Sequence, residues 1–364
     1  MCKLAPVLFL LLACYQSHKQ STFDPKGPVA QGQADLFYLI FWVALIVFII
    51  VVGFMFYILV RYRKKEGDVD PPQIHGNTKI EIGLTILPII LLAIVAVPTI
   101  QETFANANSP DPNSLTVEAI GHQWWWEFTY PNPNGSGDRI VTANEMHIPS
   151  DTVVNLELRS QNVLHSFWIP KLAGKVDVVP NNTNKMWLQA DKGSEGVYLG
   201  QCAEFCGVAH ALMKFRVIVE TQEEFNRWLI EQDTDGFNSA DPLAAEGREI
   251  FEGSGQCYSC HTVKGLKKAR GKKGPNLTHV GSRSHIASAI MANNQENLRA
   301  WIKDPNEIKP GNIMSRENRE ASCRSAKPPG RRPSGTSVTI VPSLPPWWIW
   351  QTGLGRMSGR HQAT

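Results

Sequence analysis

Two long apolar runs constrain this chain more than any other feature of it. Leu36 to Val60 holds no charged residue, and Ile80 to Ile100 holds only Glu81, near its start, with Pro88 and Pro98 inside. About 20 apolar residues in a helix cover a ~30 Å hydrocarbon core, and in lipid only helices and closed barrels satisfy their own backbone polar groups. A transmembrane helical hairpin over residues 36–100 is therefore expected. Arg61, Arg63, Lys64, Lys65 and Lys79 lie between or at the edge of the runs, and such a basic loop belongs on the cytoplasmic side. The N-terminus and everything after Gln101 then lie outside the cytoplasm.

The first residues agree. Lys3 precedes Leu4 to Leu12, an apolar run too short to span a bilayer, and Ala13-Cys14 follows. This is the form of a secretory signal peptide over residues 1–13. Leu11-Leu12-Ala13-Cys14 also resembles the lipobox of bacterial lipoproteins, which makes Cys14 a lipidation candidate; the plain alternative is an uncleaved leader with a chance cysteine. The expected location is a bacterial inner membrane, with a multi-pass anchor and the soluble parts on the periplasmic side.

From Leu115 to about Glu220 the pattern changes period. Val154, Leu156 and Leu158 alternate with Asn155, Glu157 and Arg159, and Phe215, Val217 and Val219 alternate with polar neighbours around Ile218. Period two broken by turns such as Asn132-Pro133-Asn134-Gly135 predicts an all-β sandwich or barrel, assigned to residues 112–220. Residues 221–241 are polar, acidic and partly helical in pattern, and read as a linker. Residues 242–314 read as a smaller all-α unit, helical around Leu243–Phe251 and Glu296–Ile302. Residues 315–364 are rich in Ser, Pro, Gly and Arg without a period, which predicts disorder.

The net charge of +3 hides an asymmetry: the last fifty residues carry eight Lys/Arg against two acidic residues, leaving −3 for residues 1–314. A mildly acidic body argues against a nucleic-acid partner. Seven cysteines are too few and too unevenly spaced for a disulfide scaffold, and four of them form two tight pairs, Cys202/Cys206 and Cys257/Cys260. Such pairs read as metal or cofactor ligands.

Around the first pair stand His210, Met213 and, far upstream, His165. Two thiolates, two imidazoles and a thioether are a soft set that selects copper or zinc; zinc is content with four ligands, whereas the added methionine suits copper redox chemistry. A Cys202–Cys206 disulfide is the competing reading. The second pair is Cys257-Tyr258-Ser259-Cys260-His261, the c-type haem attachment pattern, with a redox or zinc Cys-x-x-Cys as its competitor. Haem would be bound covalently through Cys257 and Cys260, with His261 axial. A methionine is the expected opposite ligand, since His/Met ligation raises the potential. Met314, in Lys309-Pro310-Gly311-Asn312-Ile313-Met314, has the loop for it, while Met291 falls in a stretch that reads as helical.

Over residues 35–220 the sequence resembles subunit II of haem–copper cytochrome c oxidases. The resemblance is carried by Gly200-Gln201-Cys202-Ala203-Glu204-Phe205-Cys206-Gly207 with His210 and Met213, by Leu164-His165-Ser166-Phe167, by Gly121-His122-Gln123-Trp124-Trp125-Trp126, and by Glu81 with Thr85-Ile86-Leu87-Pro88. It implies a cupredoxin-like sandwich with a dinuclear copper centre, CuA, bridged by Cys202 and Cys206. His165 and His210 would each bind one copper, with Met213 and the Glu204 carbonyl as weak ligands. It also implies a magnesium held by the Glu204 carboxylate at subunit I, electron acceptance through Trp124, and a proton-path mouth at Glu81. For Trp124 the bland alternative is an aromatic core cluster, and for Glu81 an interfacial carboxylate facing headgroups. Trp125 stands where the family has a tyrosine. Loss of copper ligands marks the quinol-oxidising relatives, and here all the ligands are present.

The second unit resembles class I cytochromes c, through Cys257-Tyr258-Ser259-Cys260-His261, Gly274-Pro275-Asn276-Leu277 and the Met314 loop. In that family the Pro275 carbonyl would accept from His261 and set its tautomer. A closing amphipathic helix is missing after Met314, where Pro328-Pro329-Gly330 and Trp347-Trp348-Ile349-Trp350 stand instead; a reading-frame change from about Ser315 is the expected cause, and Cys323 then has no meaning. Together the resemblances imply the subunit II of a caa-type oxidase with a tethered cytochrome c domain. It would work with subunits I and III, oxygen being reduced and protons moved in subunit I, and a cytochrome c or other donor reducing the fused haem. The alternatives are a membrane-anchored electron-transfer protein outside any oxidase and a copper-binding assembly factor.

Overall fold

The computed structural model describes residues 18–67, 69, 72–73, 76–135, 138–236 and 241–315. The leader, Cys14, and the tail from residue 316 on, with Cys323, lie outside them. Two helices open the fold, α1 (Pro28–Arg61) and α2 (Thr78–Ala107). Both outrun the apolar stretches, because each has a start signal beyond the apolar core. Proline at the first helical position suits α1, and the Asn77 side chain caps α2 by accepting from Lys79 N at 3.1 Å and Ile80 N at 3.4 Å. Glu81 sits in that first turn, where a carboxylate complements the helix dipole. Phe48, Phe54, Leu59, Leu84 and Leu92 are exposed along the pair, as side chains facing lipid are.

The outer end of the hairpin is fastened to the domain that follows. Lys26 N donates to Lys171 O at 2.7 Å and Asp191 N to Lys26 O at 2.8 Å, while Lys171 and Asp24 form an ion pair at 2.5 Å. Trp187 Nε1 donates to Ala105 O at the end of α2, at 3.2 Å.

The β domain is a sandwich of two five-stranded sheets. One has β3 (Ile140–Ala143), β2 (Trp125–Tyr130), β1 (Leu115–His122), β5 (Val154–Ser160) and β8 (Asn184–Leu188) in that order; the other has β4 (Glu145–Pro149), β10 (Lys214–Glu220), β9 (Gly196–Cys202), β6 (His165–Trp168) and β7 (Lys175–Val178). β1 pairs with β5 in parallel and β10 with β4 in parallel; the other pairings are antiparallel. The alternation seen in the sequence is the burial pattern: Val154, Leu156, Leu158, Phe215, Val217 and Val219 all point inward. Between the sheets Trp126, Phe128, Phe167 and Phe215 form an aromatic block, with Phe167 stacked on Phe215 at 4.6 Å. Gly200 makes room for it, since a Cβ there would come within 2.2 Å of the Phe215 ring.

The segment read as a linker is in part a structural helix. α3 (Gln222–Gln232) starts in a capping box, Thr221 with Glu224, and buries Phe225 and Leu229. Its i, i+4 apolar pair was short, and the acidic composition masked it. The last unit holds α4 (Pro242–Glu252), a 3₁₀ turn over Cys257–Ser259, a two-residue ladder of β11 (His285–Ile286) and β12 (Met291–Ala292), α5 (Gln295–Lys303) and α6 (Pro305–Ile308). Met291 therefore lies in a strand, not in the expected helical stretch; α5 begins after it, at the Asn294 cap. No residue of α4 is buried, and Leu243, Ile250 and Ile302 are exposed.

Candidate metal centre and haem-attachment site

His165 opens β6, Cys202 ends β9, and the loop from Cys206 through a 3₁₀ turn at His210–Leu212 leads to Met213, just before β10. Cys202, Cys206, Met213 and His165 are buried. The two sulfurs are 3.8 Å apart and both cysteines are free; a disulfide requires about 2.05 Å. Each sulfur has its own imidazole: His165 Nδ1 lies 3.9 Å from Cys202 Sγ and His210 Nδ1 3.6 Å from Cys206 Sγ. Met213 Sδ is 3.8 Å from Cys206 Sγ, and the Glu204 carbonyl 3.2 Å from Cys202 Sγ. The ligand atoms of His165, Cys202 and Cys206 lie within 4.8 Å of one another, and His210, Met213 and the Glu204 carbonyl each approach one of the two sulfurs. Glu204 is split between two directions, its carbonyl turned inward and its side chain exposed.

Electrostatics set the two sulfurs apart. The hydrogen bond from the neighbouring sulfur pulls the Cys202 thiol far down, to about 3, while the same bond, burial and the adjacent charge push Cys206 up. Burial also holds the nearby His122 down to about 4, so it stays a neutral ring, stacked on Trp125 at 4.0 Å. Gly121 lets His165 in: a Cβ there would lie 2.7 Å from its ring. Trp124 touches the centre through backbone, its Nε1 donating to Cys206 O at 2.9 Å beside Gln123 Nε2 at 2.7 Å. Trp126, by contrast, is a core residue.

In the last unit, His261 Nδ1 bonds to the Pro275 carbonyl at 2.7 Å, which leaves Nε2 free as the ligand atom. Gly274 lies against the ring, where a Cβ would approach to 2.5 Å. Met314 stands on a loop turned by Asn312, whose side chain accepts from Met314 N at 2.8 Å. Arg283 is buried with its Nε unpartnered, and burial lowers it to about 10. Its Nη2 donates to the Asn276 carbonyl at 2.5 Å, and the buried Nε left over is a donor that an anionic group such as a haem propionate would satisfy. The residues present fit a haem.

The structure also joins the two units through residues the sequence did not single out. Glu145 on β4 accepts from Ser284 N at 2.9 Å and His285 N at 3.0 Å, and also from the Ser284 hydroxyl. Arg216 Nη2 donates to Ala289 O at 3.0 Å. Ser288 Oγ donates to the Trp124 carbonyl at 2.8 Å, and Lys309 Nζ donates to that carbonyl and to Ser288 Oγ, the latter at 2.6 Å. Lys309 is buried, which brings its ammonium down to about 7. Gly311 meets Trp124 and Val208 so closely that a Cβ would lie 2.9 and 2.6 Å from them. The Met314 loop is therefore seated on the tryptophan that touches the cysteine centre. The usable signals were an acidic residue inside an apolar strand, at Glu145, and a lysine inside the methionine loop.

Three stretches match known families: residues 16–101 the transmembrane domain and 115–221 the periplasmic domain of cytochrome c oxidase subunit II, and 244–322 cytochrome c. Cytochrome c oxidase subunit 2 of Alkalihalophilus pseudofirmus is 43% identical over 318 residues, covering 85% of this chain and 90% of that protein. The chain belongs to the cytochrome c oxidase subunit II family. The subunit 2 of Bacillus sp. strain PS3 is 38% identical over 325 residues, 85% of this chain and 89% of the relative. Quinol oxidase subunit 2 of Bacillus cereus is 32% identical over 234 residues, 63% of this chain and 78% of the relative. This subunit II of a haem–copper oxidase thus carries its own cytochrome c domain, anchored by membrane helices with an extracytoplasmic copper domain, and it associates with subunit I.

Proposed function

We propose that this subunit takes electrons on its cytochrome c domain and hands them across the Trp124 contact to a dinuclear CuA centre. Cys202 and Cys206 would bridge two coppers, with His165 and His210 capping one each and Met213 and the Glu204 carbonyl as weak ligands. Haem would be attached to Cys257 and Cys260, with His261 and Met314 axial and Pro275 fixing the His261 tautomer. When bound, the haem and the copper pair supply two one-electron relays that feed the oxygen-reducing subunit I. The protein's own share is rigidity. Ligands from β6, β9 and the loop before β10 are held by an aromatic core, so the site changes little between oxidation states.

The single observation that carries the reading is the pair of free sulfurs 3.8 Å apart, each with its own imidazole Nδ1. Around it, the exposed Glu204 carboxylate is free to help bind magnesium at subunit I, and Glu81, at the inner end of α2, suits a proton-path mouth. Subunit III, a multi-pass inner-membrane location, and a leader ending at a lipidated Cys14 complete the proposal. The units are best drawn as a hairpin over 36–100, a copper domain over 112–220 extended by α3, and a haem domain over 242–314. The purified complex should hold an oxygen-reducing haem subunit, and this chain should carry two coppers and one covalent haem. A chain with one copper and no partner would instead indicate an assembly factor.

A further inference from the structure

Lys309 stands just before Pro310 and Gly311 in the methionine loop, and it is only 3% exposed. Its Nζ donates to the Trp124 carbonyl and to Ser288 Oγ, the latter at 2.6 Å. Ser288 Oγ donates to the same carbonyl at 2.8 Å. Both acceptors are neutral, and among the described residues no carboxylate pairs with this ammonium. A lysine buried this deeply is ordinarily paired with an anion, so a buried ammonium bonded only to neutral groups needs a reason. Holding the loop in place does not supply one, because a neutral donor could bond the Trp124 carbonyl without the cost of burying a charge.

The reason lies on the other side of Trp124. Its Nε1 donates to Cys206 O at 2.9 Å, beside Gln123 Nε2 at 2.7 Å. Gly207 brings the backbone after Cys206 against the same indole, where a Cβ would lie 3.0 Å from the ring. Lys309 is thus one residue's width from Cys206. Burial pulls its ammonium down to about 7, and Cys206 is the charged group that opposes the fall. The influence is mutual, since Lys309 opposes the rise that the Cys202 hydrogen bond and burial impose on Cys206. At the haem-attachment site the groups acting on His261 are different: burial, the Pro275 bond and Arg283. The other polar links between the units lead away from the sulfurs, Glu145 to Ser284 and His285, and Arg216 to Ala289.

Resting on the function proposed above, we infer that the buried Lys309 ammonium biases electron flow from haem to copper, by raising the reduction potential of the copper centre relative to the haem. One electron leaves the ferrous haem and reaches the copper pair, adding a negative charge beside Cys206; no bond forms or breaks. A fixed cation one residue away favours that arrival. At an effective dielectric of about 20, a unit charge about 12 Å from a redox group shifts its equilibrium by about tenfold, which is about 59 mV for one electron. Lys309 is then a tuning residue that stands outside the ligand set and acts on it through its charge.

The test uses the whole oxidase at pH 6, where the ammonium is charged, with the copper and haem c potentials titrated separately by electron paramagnetic resonance and haem absorbance. Three variants divide charge from contact. Lys309→Met removes the charge and the donor, Lys309→Gln removes the charge and keeps a donor, and Ser288→Ala keeps the charge and removes a hydrogen bond. Both Lys309 variants take a charge out of the interior, a change that folded proteins commonly tolerate, and copper content and melting temperature verify their loading. Both should lower the copper potential relative to haem c by about tenfold in the electron equilibrium, with Ser288→Ala within about twofold of wild type. Unchanged potentials in both Lys309 variants would overturn the inference. So would a wild-type potential in Lys309→Gln, which would make the bond to Trp124 the active part, or an equal fall in Ser288→Ala, which would make the seating of the loop the cause. A wild-type complex without a copper pair would instead refute the function on which the inference rests.

Discussion

Replacing Gly311 by alanine tests whether the seat between the haem loop and Trp124 matters. The new Cβ would lie 2.6 Å from Val208 Cγ2 and 2.9 Å from the Trp124 ring, about 1 Å inside the ~3.5–4.0 Å optimum for carbon atoms. The backbone adds its own cost, because φ at Gly311 is +79°, and a left-handed conformation costs a non-glycine residue about 1–2 kcal/mol. Overpacking of this kind costs about 1–3 kcal/mol more. Together about 2–5 kcal/mol oppose the seated loop, enough to populate an unseated one. Gly247→Ala is the control: it is on a helix with nothing within 4 Å of its Cβ, and should gain about 1 kcal/mol from helix propensity. The assays are thermal unfolding of the haem-loaded domain pair and haem-to-copper electron transfer after flash reduction. Gly311→Ala should lower the melting temperature and slow transfer at least tenfold, with Gly247→Ala doing neither. Wild-type values of both for Gly311→Ala would refute the reasoning.

Lys309→Met probes the same seat through pH. Burial from 10.5 to about 7 is a cost of about 5 kcal/mol at ~1.4 kcal/mol per unit, offset by two charged hydrogen bonds of about 1.5–3 kcal/mol each. The folded value lies below the unfolded one, so the cost is full below pH 7 and fades as pH rises toward 10.5. Titrating both proteins by chemical denaturation should show wild type gaining on the variant across that window and a constant difference below it; parallel curves throughout would contradict a buried ammonium. Thr221→Ala removes the capping box of α3 and should cost about 1 kcal/mol in equilibrium unfolding without altering copper content. Cys206→Ser should leave one copper or none by metal analysis, since a hydroxyl is a poor bridge, whereas retention of two coppers would rule out a bridging role.

Much of this was legible in the chain because the decisive signals are local. Val154, Leu156 and Leu158 reveal a half-buried strand by alternation alone, and the Cys202 and Cys257 motifs carry most of their ligands within a dozen residues. What escaped depends on neighbours distant in sequence. α3 was hidden because Phe225 and Leu229 mean little until the sandwich they cover is known. Met291 read as helical because its apolar neighbours do not show that Asn294 caps the next helix. The Glu145, Ser288 and Lys309 contacts join residues some 140 to 185 positions apart, and no pattern in one segment announces them.

The central claim is most directly tested by copper X-ray absorption on the loaded copper domain. Were sulfurs 3.8 Å apart to bridge two metals at bonds near the zinc–thiolate length of about 2.3 Å, the metals would lie about 2.6 Å from each other. A metal–metal scattering shell near that distance, with two coppers per chain, is the expected result. A single copper per chain with no such shell would contradict the account.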